Sequence, residues 1–128
     1  SQQMPLYPGS GLADERGAQG QMVNVPLRGG SGGAEMHAAY QREVFPRLTA
    51  FQPELILISA GFDAHADDPL AGLMWRTADF AWLTEQLCDL ADALCGGRVV
   101  SALEGGYDLD ALAASVAAHV GVLQRRGR

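Results

Sequence analysis

The sequence predicts an α/β fold built around a parallel sheet. Glu54–Ala60 and Arg98–Leu103 are nearly continuous apolar runs bounded by Pro or Gly, the pattern of strands covered on both faces. Between and after them lie stretches whose apolar residues recur every three or four positions, the mark of amphipathic helices. The composition agrees: 128 residues, 48% hydrophobic and 19% charged, is the balance of one ordinary globular unit or part of one.

Charge and length exclude several classes. The formal net charge is -6, and all nine basic side chains are arginines scattered among the acids, so no basic stripe is available to neutralise a phosphate backbone. Nucleic acid is not an expected partner. No apolar run approaches the roughly 18 residues of a membrane span, and no charged n-region precedes an apolar stretch, so a cytoplasmic protein is expected. Cys88 and Cys95 lie seven residues apart on one predicted helix, about 10 Å by helical rise, too far for a disulfide. They read as small core residues in a reducing compartment.

Residues 1–33 are loop-rich and residues 34–128 alternate helix with strand. From Met4 to Gln21 no period is sustained, so a long loop is expected. Met22–Leu27 is β-prone and broken at Pro26. Gly29–Gly33 has the form of an anion nest but reads better as a flexible linker. Met36, Tyr40, Val44, Leu48 and Phe51 form a helical stripe that Pro46 should kink or shorten. After the strand at 54–60, Thr77 can cap a helix burying Phe80, Leu83, Leu87, Leu90 and Leu94 until Gly96 and Gly97 stop it. The second buried strand then runs to Leu103, and Asp108 can cap a last helix burying Leu109, Leu112, Val116, Val120 and Leu123. Right-handed crossovers and helices on both faces of one sheet follow from this alternation.

In such sheets chemistry gathers beyond the carboxyl ends of the strands. Two polar, glycine-containing loops open there: Gly61-Phe62-Asp63-Ala64-His65-Ala66-Asp67-Asp68-Pro69, and Glu104-Gly105-Gly106-Tyr107-Asp108. Asp63 stands directly after a buried strand, where an unpaired carboxylate is costly and a metal ion is one compensation; capping of the next turn is the blander alternative, and the commoner one. Tyr107 can aim a phenol at a reacting oxygen, or pack on a helix start. The second loop lacks the spacing of a phosphate loop. His37 and His119 lie on predicted helices without a second donor at ligand spacing, and no serine or cysteine sits beside a base.

Five blocks in order, Pro5–Gly11, Val23–Pro26, Pro53–His65, Asp68–Leu70 and Leu103–Leu109, resemble the histone deacetylase superfamily, most closely its bacterial amidohydrolases and class II enzymes. The resemblance implies an arginase-like three-layer α/β fold, of which this chain is the C-terminal portion, and zinc-dependent hydrolysis of an N-acyl amide such as acetyl-lysine or an acetylated polyamine. It matches Asp63 to a zinc-binding aspartate and Tyr107 to the tyrosine that stabilises the tetrahedral oxyanion. Tyr7 would line the acyl channel, Leu70 its rim and Gly105 its floor, and Asp68 would support the zinc loop. His65 matches no zinc ligand. A structural monovalent cation in the full-length domain is implied as well.

The pattern departs from the family at one point: the tandem histidines and the remaining zinc ligands have no counterpart here. The sequence also opens on Ser1 and a loop. The expectation is a fragment of a longer enzyme, inactive by itself, because catalytic zinc normally takes three protein ligands. The competing expectation is a binding module that retained the fold and lost the chemistry.

Overall fold

A computed structural model describes residues 2–6 and 9–127. The chain runs β1 (Gln2–Met4), β2 (Pro26–Arg28), α1 (Gly33–Ala39), a π-helical turn (Tyr40–Val44), α2 (Phe45–Phe51), β3 (Ile56–Gly61), α3 (Thr77–Cys95), β4 (Val99–Gly105) and α4 (Leu109–Arg126). The strands form two separate parallel pairs, β1 with β2 and β3 with β4. Parallel partners need a long connection, and α3 supplies it between β3 and β4.

The anticipated single sheet is therefore corrected: β2 pairs with β1, which ends where the expected loop begins, and does not join β3 and β4. Its first residue is Pro26, a position where the missing N–H does no harm. Gly29–Gly33 is also not a free linker. Gly30 donates to the Gly72 carbonyl at 2.6 Å and Met74 to that of Ser31 at 2.9 Å, tying this glycine run to the loop after β3.

Pro46 has no N–H to offer to the turn before it. The chain meets this with the π turn over Tyr40–Val44, so that Pro46 falls at the start of α2, where its fixed φ is tolerated. Met36 is fully buried, whereas Phe51, the last member of the expected stripe, is 60% exposed. At the start of α3 the cap is Arg76, not Thr77: the Asp79 carboxylate accepts the Arg76 N–H at 2.8 Å. Gly96, at φ 62°, ends that helix in the left-handed region, as glycine permits.

Asp108 does cap α4, its carboxylate accepting the Ala111 N–H at 2.8 Å. The buried face of α4 is offset from the expected stripe. Ala111, Ser115, His119 and Val122 are buried, while Leu109 is 78% exposed.

The main core joins Leu27, Met36, Phe62, Trp75 and Phe80, and a smaller one joins Ile56, Ala91 and Cys95. Both cysteines are buried and unpaired, and burial pushes the Cys88 thiol above its ordinary range. Helices cover only one face of the β3–β4 pair. On the other face Leu55, Leu57 and Val100 stand open to solvent, contrary to strands enclosed on both sides. No helix among the described residues is long and apolar enough to cross a membrane.

Candidate active site

Because β3 and β4 are parallel and paired over Ile56–Gly61, their carboxyl ends open on the same edge. The register slips between Ala60 and Gly61, so that Gly61 pairs with Gly105, and the Phe62 N–H donates to the Gly105 carbonyl at 2.8 Å. This crossing places Asp63 and Tyr107 at the mouth of one cavity of about 470 Å³, with Gly61 and Gly105 in its wall.

The two glycines leave room for the two side chains. A Cβ at Gly105 would lie 3.2 Å from Asp63 Oδ1 and 3.5 Å from the Tyr107 hydroxyl, and one at Gly61 would lie 2.8 Å from the same carboxylate oxygen. The carboxylate and the phenol thus converge on the point where Gly105 lacks a side chain. Asp63 does not cap the following turn, which closes through the His65 N–H donating to the Phe62 carbonyl at 3.1 Å; Asp68 caps a later turn.

Asp68 is 8% exposed and its carboxylate accepts three backbone N–H groups. Oδ1 takes Leu70 at 2.9 Å and Ala71 at 3.3 Å, and Oδ2 takes Tyr107 at 2.8 Å. The rest of the loop closes on itself through Trp75 donating to Ala64 at 3.1 Å and Ala66 donating to Trp75 at 2.8 Å. His65 is turned inward over the Phe80 ring and its Nδ1 accepts the Asp67 N–H at 3.2 Å, a role within the loop.

Of the residues assigned from sequence, Asp63, Gly105 and Tyr107 come together. Leu70 is 65% exposed and projects outward, one residue before the cavity-lining Ala71. Tyr7 lies outside the described residues. His119, read as an ordinary helical histidine, is instead a buried member of the cavity wall. Its Nδ1 is 2.7 Å from Thr84 Oγ1 and its Nε2 2.9 Å from Ser101 Oγ, and burial holds its pKa below the usual value. The signal for this was polar Thr84 and Ser101 at inward positions of otherwise apolar elements.

Asp63, with its carboxylate at the cavity mouth and not spent on a turn, fits one ligand of a metal ion. No group of three or more His, Cys, Asp or Glu able to hold a metal exists among the described residues, so the set is incomplete by the usual count of three protein ligands.

Comparison with known proteins settles the family. The model of the histone deacetylase domain matches residues 1–123. The chain belongs to the histone deacetylase family. It is 46% identical over 118 residues to "Histone deacetylase 10, chloroplastic" of Oryza sativa subsp. japonica, covering 90% of this chain and 27% of that protein. A "Probable deacetylase" of Archaeoglobus fulgidus is 37% identical over 111 residues, covering 84% of this chain and 31% of that protein. Among solved structures, the HDA15 HD domain superposes with a TM-score of 0.87 at 41% identity, covering 96% of this chain and 35% of that one. The chain thus spans about a third or less of the histone deacetylase relatives it matches, and its α/β architecture is that of part of their catalytic domain.

Proposed function

We propose that this chain contributes one side of the active site of a zinc-dependent deacetylase that hydrolyses an N-acyl amide, such as acetyl-lysine or an acetylated polyamine, and that it acts within a longer protein of the class II-like group. The observation that carries the reading is the convergence of the Asp63 carboxylate and the Tyr107 hydroxyl beside Gly105.

In this reading Asp63 supplies one metal ligand and Gly105 forms the floor against which the small acyl group rests. Asp63 would be one of the residues holding a zinc ion, which when bound would supply Lewis acidity toward the amide carbonyl and the attacking water. Tyr107 donates its phenol hydrogen to the substrate carbonyl oxygen. That bond strengthens as the carbon becomes tetrahedral and negative charge grows on the oxygen, which is what makes it catalytic and not merely binding. The base that takes the proton from water and the acid that delivers it to the leaving amine lie in other segments. The substrate is an acylated peptide lysine or small amine, and no role for nucleic acid is proposed.

The test measures zinc content and acetyl-lysine amide hydrolysis for this chain beside the full-length protein. One zinc per full-length molecule, with hydrolysis, and neither in the chain alone, is the expected result. The lack, among the described residues, of any group of three or more His, Cys, Asp or Glu able to hold a metal is also what a non-catalytic module of this fold would present. A full-length protein that holds no zinc and cleaves no acyl amide would favour that module.

A further inference from the structure

We propose that Asp68 is a positioning residue for Tyr107: its buried carboxylate fixes the backbone of the β4 loop and so sets where the phenol sits relative to Asp63. The proposal rests on the reading of Tyr107 as the oxyanion donor.

The geometry behind it is specific. The two loops are separated by 39 residues of sequence, yet a single carboxylate closes both. Oδ1 holds the Leu70 and Ala71 N–H groups of its own loop, and Oδ2 holds the N–H of Tyr107 itself at 2.8 Å. Tyr107 as a residue is 54% exposed, so packing holds it only in part. The residue before it, Gly106, has φ 132°, a region open to glycine, so no side chain there anchors the loop. Between the strand end at Gly105 and the α4 cap at Asp108, a charge-assisted bond at the Tyr107 amide is the restraint placed on this residue's own backbone. Two or three bonds to a carboxylate are also more than a turn needs.

An ionised carboxylate is the side chain of this size that accepts at both ends. Asparagine keeps the shape but turns one acceptor into a donor, so that an NH2 must face either Tyr107 N–H or the Leu70 and Ala71 pair. Displacement of a catalytic group by about 1 Å is enough to cost on the order of a hundredfold in rate.

The experiment is a double-mutant cycle in the zinc-loaded full-length enzyme, using Asp68→Asn, Tyr107→Phe and the pair. Asp68→Asn is expected to lower kcat at least about tenfold with KM changed less than about threefold, and to cost less than about twofold once Tyr107 is already Phe. Zinc content should stay at the wild-type level. Equal losses in both backgrounds would show that Asp68 supports the site generally and would overturn the proposal.

A second variant leaves Asp68 intact and covers the case in which Asp68→Asn fails to fold. Replacing Tyr107 by its α-hydroxy acid puts an ester where the Gly106–Tyr107 peptide was and removes only the N–H. The same loss of kcat is expected, and unchanged kcat would sink the idea. Hydrogen exchange at the Tyr107 amide gives a readout apart from activity: slow in the wild type, and at least about tenfold faster in Asp68→Asn. If wild-type enzyme proves to have no amidase activity, the functional reading fails, while the exchange rates still decide whether the clamp exists.

Discussion

Thr84 of α3 and His119 of α4 share a buried hydrogen bond of 2.7 Å between Oγ1 and Nδ1. The Thr84 hydroxyl donates to the Phe80 carbonyl at 2.6 Å, so its oxygen must accept from His119, which places the imidazole hydrogen on Nδ1. Nε2 is then an acceptor, and the Ser101 hydroxyl at 2.9 Å is its donor. One neutral histidine thereby joins α3, α4 and β4.

That arrangement makes stability depend on pH in a defined direction. Burial lowers the His119 pKa below its ordinary 6.5 in the folded state, so on acidification the unfolded chain takes up the proton first. Stability from this group is complete above the unfolded pKa and is lost as pH falls from there toward the folded pKa, with a slope of at most about 1.4 kcal/mol per pH unit. Denaturant titrations between pH 7.5 and 5 check it. His119→Gln, which cannot titrate, should flatten this part of the profile.

Gly61→Ala is expected to spare the fold and damage the site. The added methyl would sit 2.8 Å from Asp63 Oδ1, and a carboxylate is free to rotate away. Stability should change by less than about 1 kcal/mol, while zinc affinity of the full-length protein falls about 10- to 100-fold, by analogy with disturbed metal-ligand support. Metal titration and thermal unfolding of the same samples separate the two.

Gly106→Ala should do the reverse and act first on stability. Its φ of 132° suits glycine alone, and a Cβ there would meet Leu112 Cδ1 at 2.8 Å and Phe62 Cβ at 3.1 Å. Strain and contact together should cost about 1–3 kcal/mol, read as a lower denaturation midpoint with unchanged slope.

Tyr107→Phe removes one hydroxyl from an exposed ring and should leave the fold as it is. If the phenol meets the developing oxyanion, kcat falls about 10²- to 10³-fold. Steady-state kinetics with an acetyl-lysine amide decide it, and a variant as fast as the parent would remove Tyr107 from the mechanism.

The parts of this structure that were legible in the sequence are those in which local pattern decides. β3 and β4 are apolar runs and α3 carries an apolar stripe, each with glycine or proline stops, and Asp108 caps α4 as its position suggests. Reading failed where long-range contacts decide. Of the α4 stripe through Leu109, Leu112, Val116, Val120 and Leu123, Leu112 and Val116 do pack on the core, but the fully buried face is offset because Ser115 and His119 are satisfied by partners on other elements, which periodicity does not record. The β-prone run was read over Met22–Leu27 and broken at Pro26, whereas β2 begins there, and its partner went unread because a three-residue strand such as β1 has too little pattern to announce itself. That Asp63 and Tyr107 would lie near each other was legible because strand ends are where parallel sheets open. The bond from Asp68 to Tyr107 was not, because nothing in Asp-Pro-Leu says that its second oxygen reaches another loop.

The open face of β3 and β4 has a practical side. Leu57 at 70% exposure and Val100 at 51% lie side by side in the register, and each of these strands has a single neighbour among the described residues. Bare apolar surface beside unpaired strand edges is adhesive. For a solution of this chain, dilution rather than temperature would set the working limit: copies would stick face to face as concentration rises, and light scattering would climb well before any unfolding transition is reached.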